Sequence, residues 1–90
     1  MANYIVSHEF SGNDPAHAQA DDCISRIDKC SFKILPTTWY VRSSLSKDEI
    51  FRYIKSHIPD DARLIVVVAS DCCWTNLLVA DDHLRKCWEF

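Results

Sequence analysis

The run Leu64–Ala69, LIVVVA, limits what this chain can fold into more than any other stretch. Its β-branched residues make it a strand, and it is far too short to cross a bilayer. A strand with one wet face would alternate apolar and polar side chains. This one does not, so both of its faces are expected to be covered.

The preceding sequence supplies partners for it. Residues 3–8, NYIVSH, read as a first strand. SGNDP follows, with the chain's only glycine at Gly12, Asn13 or Asp14 as a helix cap, and Pro15 in the first helical turn. Ala16, Ala20, Cys23, Ile24, Ile27 and Cys30 then recur at helical spacing, which predicts a helix of about four turns. SFKIL and TTWYVRS are two strands separated at Pro36, a residue that cannot donate to a ladder. In SKDEI, Ser46 and Glu49 form a capping box, followed by an apolar stripe of Ile50, Phe51, Ile54 and Ile58 that Pro59 closes. The order strand, helix, strand, strand, helix, strand is the split βαβ pattern of an α+β, ferredoxin-like domain with an antiparallel sheet. Its core spans about residues 3–70. Residues 71–90 form an extension, with a short strand around Trp74–Leu78 and a terminal helix from about Ala80.

In such a layout the two helices cover one face of the sheet, and LIVVVA lies on an edge strand that is a template for pairing. The second face needs the C-terminal tail, a second subunit, or both. A homodimer packed through its sheets answers that need most economically, with Ile65, Val66, Val67, Val68 and Trp74 as interface residues.

Ninety residues fit one domain, and 48% hydrophobic with 26% charged residues is ordinary globular composition. The opening MANYIVSHEFSGND has none of the parts of a secretory signal, so a cytoplasmic protein is expected, with no membrane association. Its five cysteines then read as reduced thiols filling core space, since an odd number does not close a disulfide framework. The net charge of −3 disfavours duplex DNA binding by the isolated chain, because phosphate neutralisation supplies most of such affinity. A local basic face on a dimer leaves direct DNA or RNA binding open.

Several segments resemble, in their joint order, the small SinR-like proteins related to the CRISPR-associated Cas-two family. YIVSHEF resembles an opening Tyr-Ile-Val-Ser-Tyr-Asp-Leu. FKILPTTWYVRSSLSKDEIFRYI resembles a Leu-x-Ser-Thr-Trp hairpin with a capped helix after it. PDDARLIVVVAS and the later CWTNL resemble an Asp-Asp-x-Leu strand and a Trp-x-x-Leu. The resemblance covers about residues 3–78 apart from the first helix, and it implies a ferredoxin-like homodimer. In Cas-two relatives an aspartate ending the first strand approaches the dimer axis and is assigned to metal binding in nuclease action. Other relatives are non-catalytic scaffolds in spacer acquisition, and virulence-associated protein D relatives are ribonucleases. By position the aspartate falls on Glu9, while His8 replaces the aromatic. The longer Glu9 side chain strains the octahedral geometry that Mg²⁺ demands.

Three functions follow as expectations. The first is a non-catalytic homodimeric interaction or scaffold protein in prokaryotic or phage nucleic-acid or defence biology, without cofactor. The second is a DNase or RNase in which paired Glu9 side chains hold Mg²⁺ or Mn²⁺ to activate water, with His8 as a general acid across the dimer. Adjacent strand residues face opposite sides, so His8 and Glu9 of one chain do not meet on one atom. The third is a phage-borne inhibitor of a host defence complex. A solvated Glu9 paired with an arginine such as Arg42, and a half-buried structural His8, are the plain readings of those two residues. Cys72, Cys73, His83 and Cys87 superficially suggest zinc, but adjacent Cys72 and Cys73 lack the spacing that wraps an ion. Ser7, Thr37 and Thr38 have no nucleophile elbow around them. Phe32, Trp39 and Tyr40 read as core or interface rather than as a base-stacking platform.

Overall fold

A computed structural model describes residues 1–9 and 14–88, the side chains of 14–16 excepted. The elements run β1 (Ala2–Glu9), α1 (Asp14–Ser25), β2 (Ser31–Leu35), β3 (Thr38–Ser43), α2 (Lys47–Lys55), β4 (Arg63–Ala69) and α3 (Asp81–Cys87). The strands form one antiparallel sheet in the order β2-β3-β1-β4, so the described chain is a small α+β unit of four strands and three helices.

Local chemistry accounts for most boundaries. Pro36 and Thr37 make the tight link between β2 and β3. Ser46 Oγ accepts from the Glu49 backbone N–H at 3.1 Å, while the Glu49 carboxylate accepts from Ser46 N–H at 3.0 Å. This reciprocal cap satisfies two otherwise orphaned donors at the start of α2 and is worth about 1 kcal/mol. Behind it Ile50 and Ile54 are fully buried, whereas Phe51, expected in the same stripe, is exposed. The first helix is shorter than its apolar spacing suggests, ending at Ser25, with Ile27 and Cys30 in the link to β2. The expected turn at Gly12 and cap at Asn13 lie outside the described residues.

Alternation along β1 sorts the sheet into two faces. Tyr4 and Val6 look toward the helices, where they join Cys23, Ile24, Trp39, Val41, Ile50 and Ile54 in the main core. Ile5 looks the other way, and there the cover comes from residues 70–88. Leu84 and Trp88 pack on Tyr40, Ile34 and Cys30, with Phe32, Trp74, Leu77 and Val79 around them. The Tyr40 and Trp88 rings stack 5.3 Å apart.

Two expectations are corrected here. No strand forms at Trp74–Leu78. Asn76 sits at φ 53°, a left-handed conformation that breaks any extended run, and only Leu78 N–H reaches the sheet, bonding Ile34 O at 3.0 Å. Nor are all the cysteines thiols. Cys30 and Cys87 form a disulfide across 57 residues of sequence. Cys23 is a buried thiol, whereas Cys72 and Cys73 are exposed and do not pack under the last helix.

The tail crosses β2, β3 and β1 but meets β4 only at Ala69, its last residue. Leu64 and Val66 reach the main core from the helix side. On the opposite face Ile65 is 58% exposed and Val67 43%, and at the end of the strand Val68 is 53% exposed. The full cover expected for this strand is therefore missing among the described residues.

Candidate functional site

The end of β1 carries the residues singled out in the sequence, and the pleat separates them. His8 points to the helix side and is 2% exposed. Its Nε2 lies 3.3 Å from Asp21 Oδ1 on α1. Asp21 is the hub of a polar cluster, accepting from Trp39 Nε1 at 2.9 Å and pairing with Lys33 Nζ at 2.5 Å. The His17 ring stands 5.3 Å from the His8 ring. Partial burial works to raise the Asp21 pKa, but the bonds from Lys33, Trp39 and His8 and the nearby Lys33 charge outweigh it and hold the carboxyl below its ordinary value. Burial lowers the His8 pKa, and the attraction of Asp21 offsets only part of that. The buried His8 imidazole thus ties the first helix to the sheet through Asp21.

Glu9 points to the opposite, tail-side face and is exposed. Its cross-strand neighbour is Arg63, and the two side chains form an ion pair. The sequence reading offered Arg42 as such a partner. Arg42 instead lies opposite Asn3, six positions back along β1, so register decides the pairing. Around this pair is an open cleft of about 230 Å³ bordered by Ser7, His8, Glu9, Thr37, Arg63, Leu64 and Ile65. The Ser7 hydroxyl shares a hydrogen bond with Thr38 Oγ1 at 3.2 Å and lies 3.3 Å from the Thr37 carbonyl, so its described partners hold it in the hairpin. One carboxylate facing a guanidinium is a poor cation cradle, and no cluster of three or more potential metal ligands occurs among the described residues. Among the described residues no second carboxylate borders the cleft.

The remaining candidates disperse. Cys87 is bonded to Cys30, which removes it from any zinc set with Cys72, Cys73 and His83. Trp39 and Tyr40 are buried on opposite faces and offer no platform for stacked bases. Trp74, expected at an interface, is half-buried within its own chain. Its ring centroid lies 5.9 Å from that of Trp88, its Nε1 donates to Asp81 Oδ1 at 2.5 Å, and the Arg85 guanidinium lies 5.2 Å over it.

The His8–Asp21 tie went unforeseen in the sequence. Its signal was parity: His8 follows Tyr4 and Val6 on the helix-facing side, while Asp21 lies within one turn of Ala20 and Ile24. The chain matches no protein-family model and no curated protein.

Proposed function

We propose that this chain is a non-catalytic interaction protein that works as a homodimer, of the Cas-two and SinR-like type, in prokaryotic or phage nucleic-acid or defence biology. The observation that carries this reading is the apolar strip of Ile65 and Val67 left uncovered on an edge strand. Such a strip on an edge strand suits the docking of a second chain. The connection order, with antiparallel neighbours β2-β3-β1-β4, supports the ferredoxin-like split βαβ reading. The engagement of Glu9 by Arg63 and the burial of His8 favour a scaffold over an efficient nuclease.

One observation keeps the metal-dependent nuclease in view. Glu9, Ile65 and Val67 share the tail-side face, so a two-fold contact through the strip draws the two Glu9 residues toward each other.

Sedimentation of the wild-type chain and of Ile65→Asp/Val67→Asp tests the dimer. A dimer that the double substitution converts to a folded monomer supports the reading, and a wild-type monomer at micromolar concentration sinks it. Cleavage of generic RNA or DNA with Mg²⁺ or Mn²⁺ that disappears in Glu9→Ala but survives in His83→Ala would replace the scaffold with an enzyme. Absence of cleavage, with a defined partner co-purifying from the native cell only with the dimeric form, supports the scaffold.

A further inference from the structure

The two faces of the sheet are buried by independent sets of residues. The helix-side core and the half-buried residues packed on it, including Ala2, Ile27, Tyr53, Ile58, Leu64 and Val66, contain nothing from residues 70–88. That segment supplies half of the tail-side cluster, Leu84 and Trp88 with Trp74, Leu77, Val79 and Cys87 around them. The segment itself is weakly built. Its one helix spans seven residues and has no side-chain cap at its start. Besides apolar packing, three ties fasten it to the rest of the chain among the described residues. They are the Leu78–Ile34 backbone bond, a 2.9 Å bond from the Tyr40 hydroxyl to the Cys87 carbonyl, and the Cys30–Cys87 disulfide. Two of the three meet at Cys87. The covalent one therefore does for this face what helix-to-sheet packing does for the other.

We propose that the Cys30–Cys87 bond is a thiol–disulfide exchange site that latches residues 70–88 over the sheet, so that its reduction frees the tail while the helix-side domain stays folded. The position of the bond suits exchange. Cys30 is a buried residue whereas Cys87 is half-buried, which makes Cys87 Sγ the expected point of attack by an external thiolate. A dithiol reductant attacks Cys87 Sγ as its thiolate. Cys30 Sγ leaves as a thiolate and takes up a proton. The reductant's second thiol, as thiolate, closes on the mixed disulfide and releases Cys87, which is protonated in turn. The protein disulfide gains two electrons and two protons, and the dithiol becomes a cyclic disulfide. Exposed Cys72 lies in the same tail, but partial burial, Asp71 and Cys73 raise its pKa and keep it a protonated, poor attacker. Release would bare Tyr40, Ile34, Ile5 and Phe32 beside the strip of Ile65 and Val67.

Hydrogen exchange read by mass spectrometry on the full chain, oxidised and in dithiothreitol, tests this. Reduction should speed exchange in peptides spanning residues 77–88 by about tenfold or more, while peptides from β1, β3 and α2 keep their protection. Cys30→Ser/Cys87→Ser should match the reduced wild type and ignore the reductant. Tyr40→Phe, which keeps the ring and loses the tie to Cys87, should loosen the tail further only when the disulfide is open. The proposal fails if tail exchange is the same in both redox states, if the whole domain loses protection with the tail, or if the air-oxidised protein titrates with five free thiols.

Discussion

The helix side and the tail side of the sheet bury comparable side chains by different means. On the helix side Ile50 and Ile54 come from an element that satisfies its own backbone and is capped at its entry by Ser46 and Glu49. On the tail side Leu84 and Trp88 come from a largely irregular segment whose helix lacks such a cap. Ordering an irregular segment costs backbone entropy without the return of a hydrogen-bond ladder. A cross-link offsets that cost by restricting the alternatives open to the chain. The comparison teaches that equal burial need not mean equal independence, since one face holds by architecture and the other by a bond.

Truncation on the two faces gives the largest contrast. Ile54→Ala should cost about 2–5 kcal/mol of global stability in denaturant unfolding. Leu84→Ala, with the disulfide reduced, should leave the main transition close to wild type and chiefly abolish tail protection. Equal losses in the main transition would erase the distinction between the faces.

A smaller effect is expected from pH at the His8–Asp21 cluster on the helix side. Burial lowers the His8 pKa from its ordinary 6.5, with Asp21 opposing the shift and His17 and Lys33 adding to it. The folded chain then binds fewer protons than the unfolded one below that value. Stability is full above pH 6.5 and declines as pH falls through 6.5 toward the lower folded value. Asp21, also lowered, adds a second loss as pH falls below 3.8. In His8→Gln the first decline should vanish from a pH series of unfolding curves and the second should remain. Persistence of the first decline would assign it elsewhere.

Smallest of all is the ion pair at the strand end. Glu9 and Arg63 are both largely exposed, so Arg63→Ala should change stability by less than about 0.5 kcal/mol. A loss several times larger would mean that the cleft beside Glu9 is buried in the working protein, as a second copy would bury it.

How much of this was legible in the sequence depends on the range of the interaction. The capping box at Ser46 and Glu49 was readable because both partners lie within one turn. The hairpin at Pro36 was readable for the same reason. The bareness of one face of β4 followed from counting what two helices can cover. The Cys30–Cys87 bond was not readable, since its partners are distant along the chain and meet only because the tail doubles back over β2. The odd cysteine count pointed away from it, yet three thiols remain beside one bridge. The expected strand at Trp74–Leu78 failed at Asn76, whose backbone is set by the path of the tail. The Glu9 partner needed the β1–β4 register, which composition does not carry.

The two borders of the sheet differ in a way that limits assembly. Along β2 the ladder is interrupted between Lys33 and Leu35, and the Ile34 carbonyl is taken by Leu78, so that margin offers no clean row of donors and acceptors. The β4 strand keeps an unbroken register with β1 and exposes Ile65, Val67 and Val68. If the β4 margin pairs with a second copy, as proposed, neither copy keeps that margin free, so growth along the sheet closes at a pair.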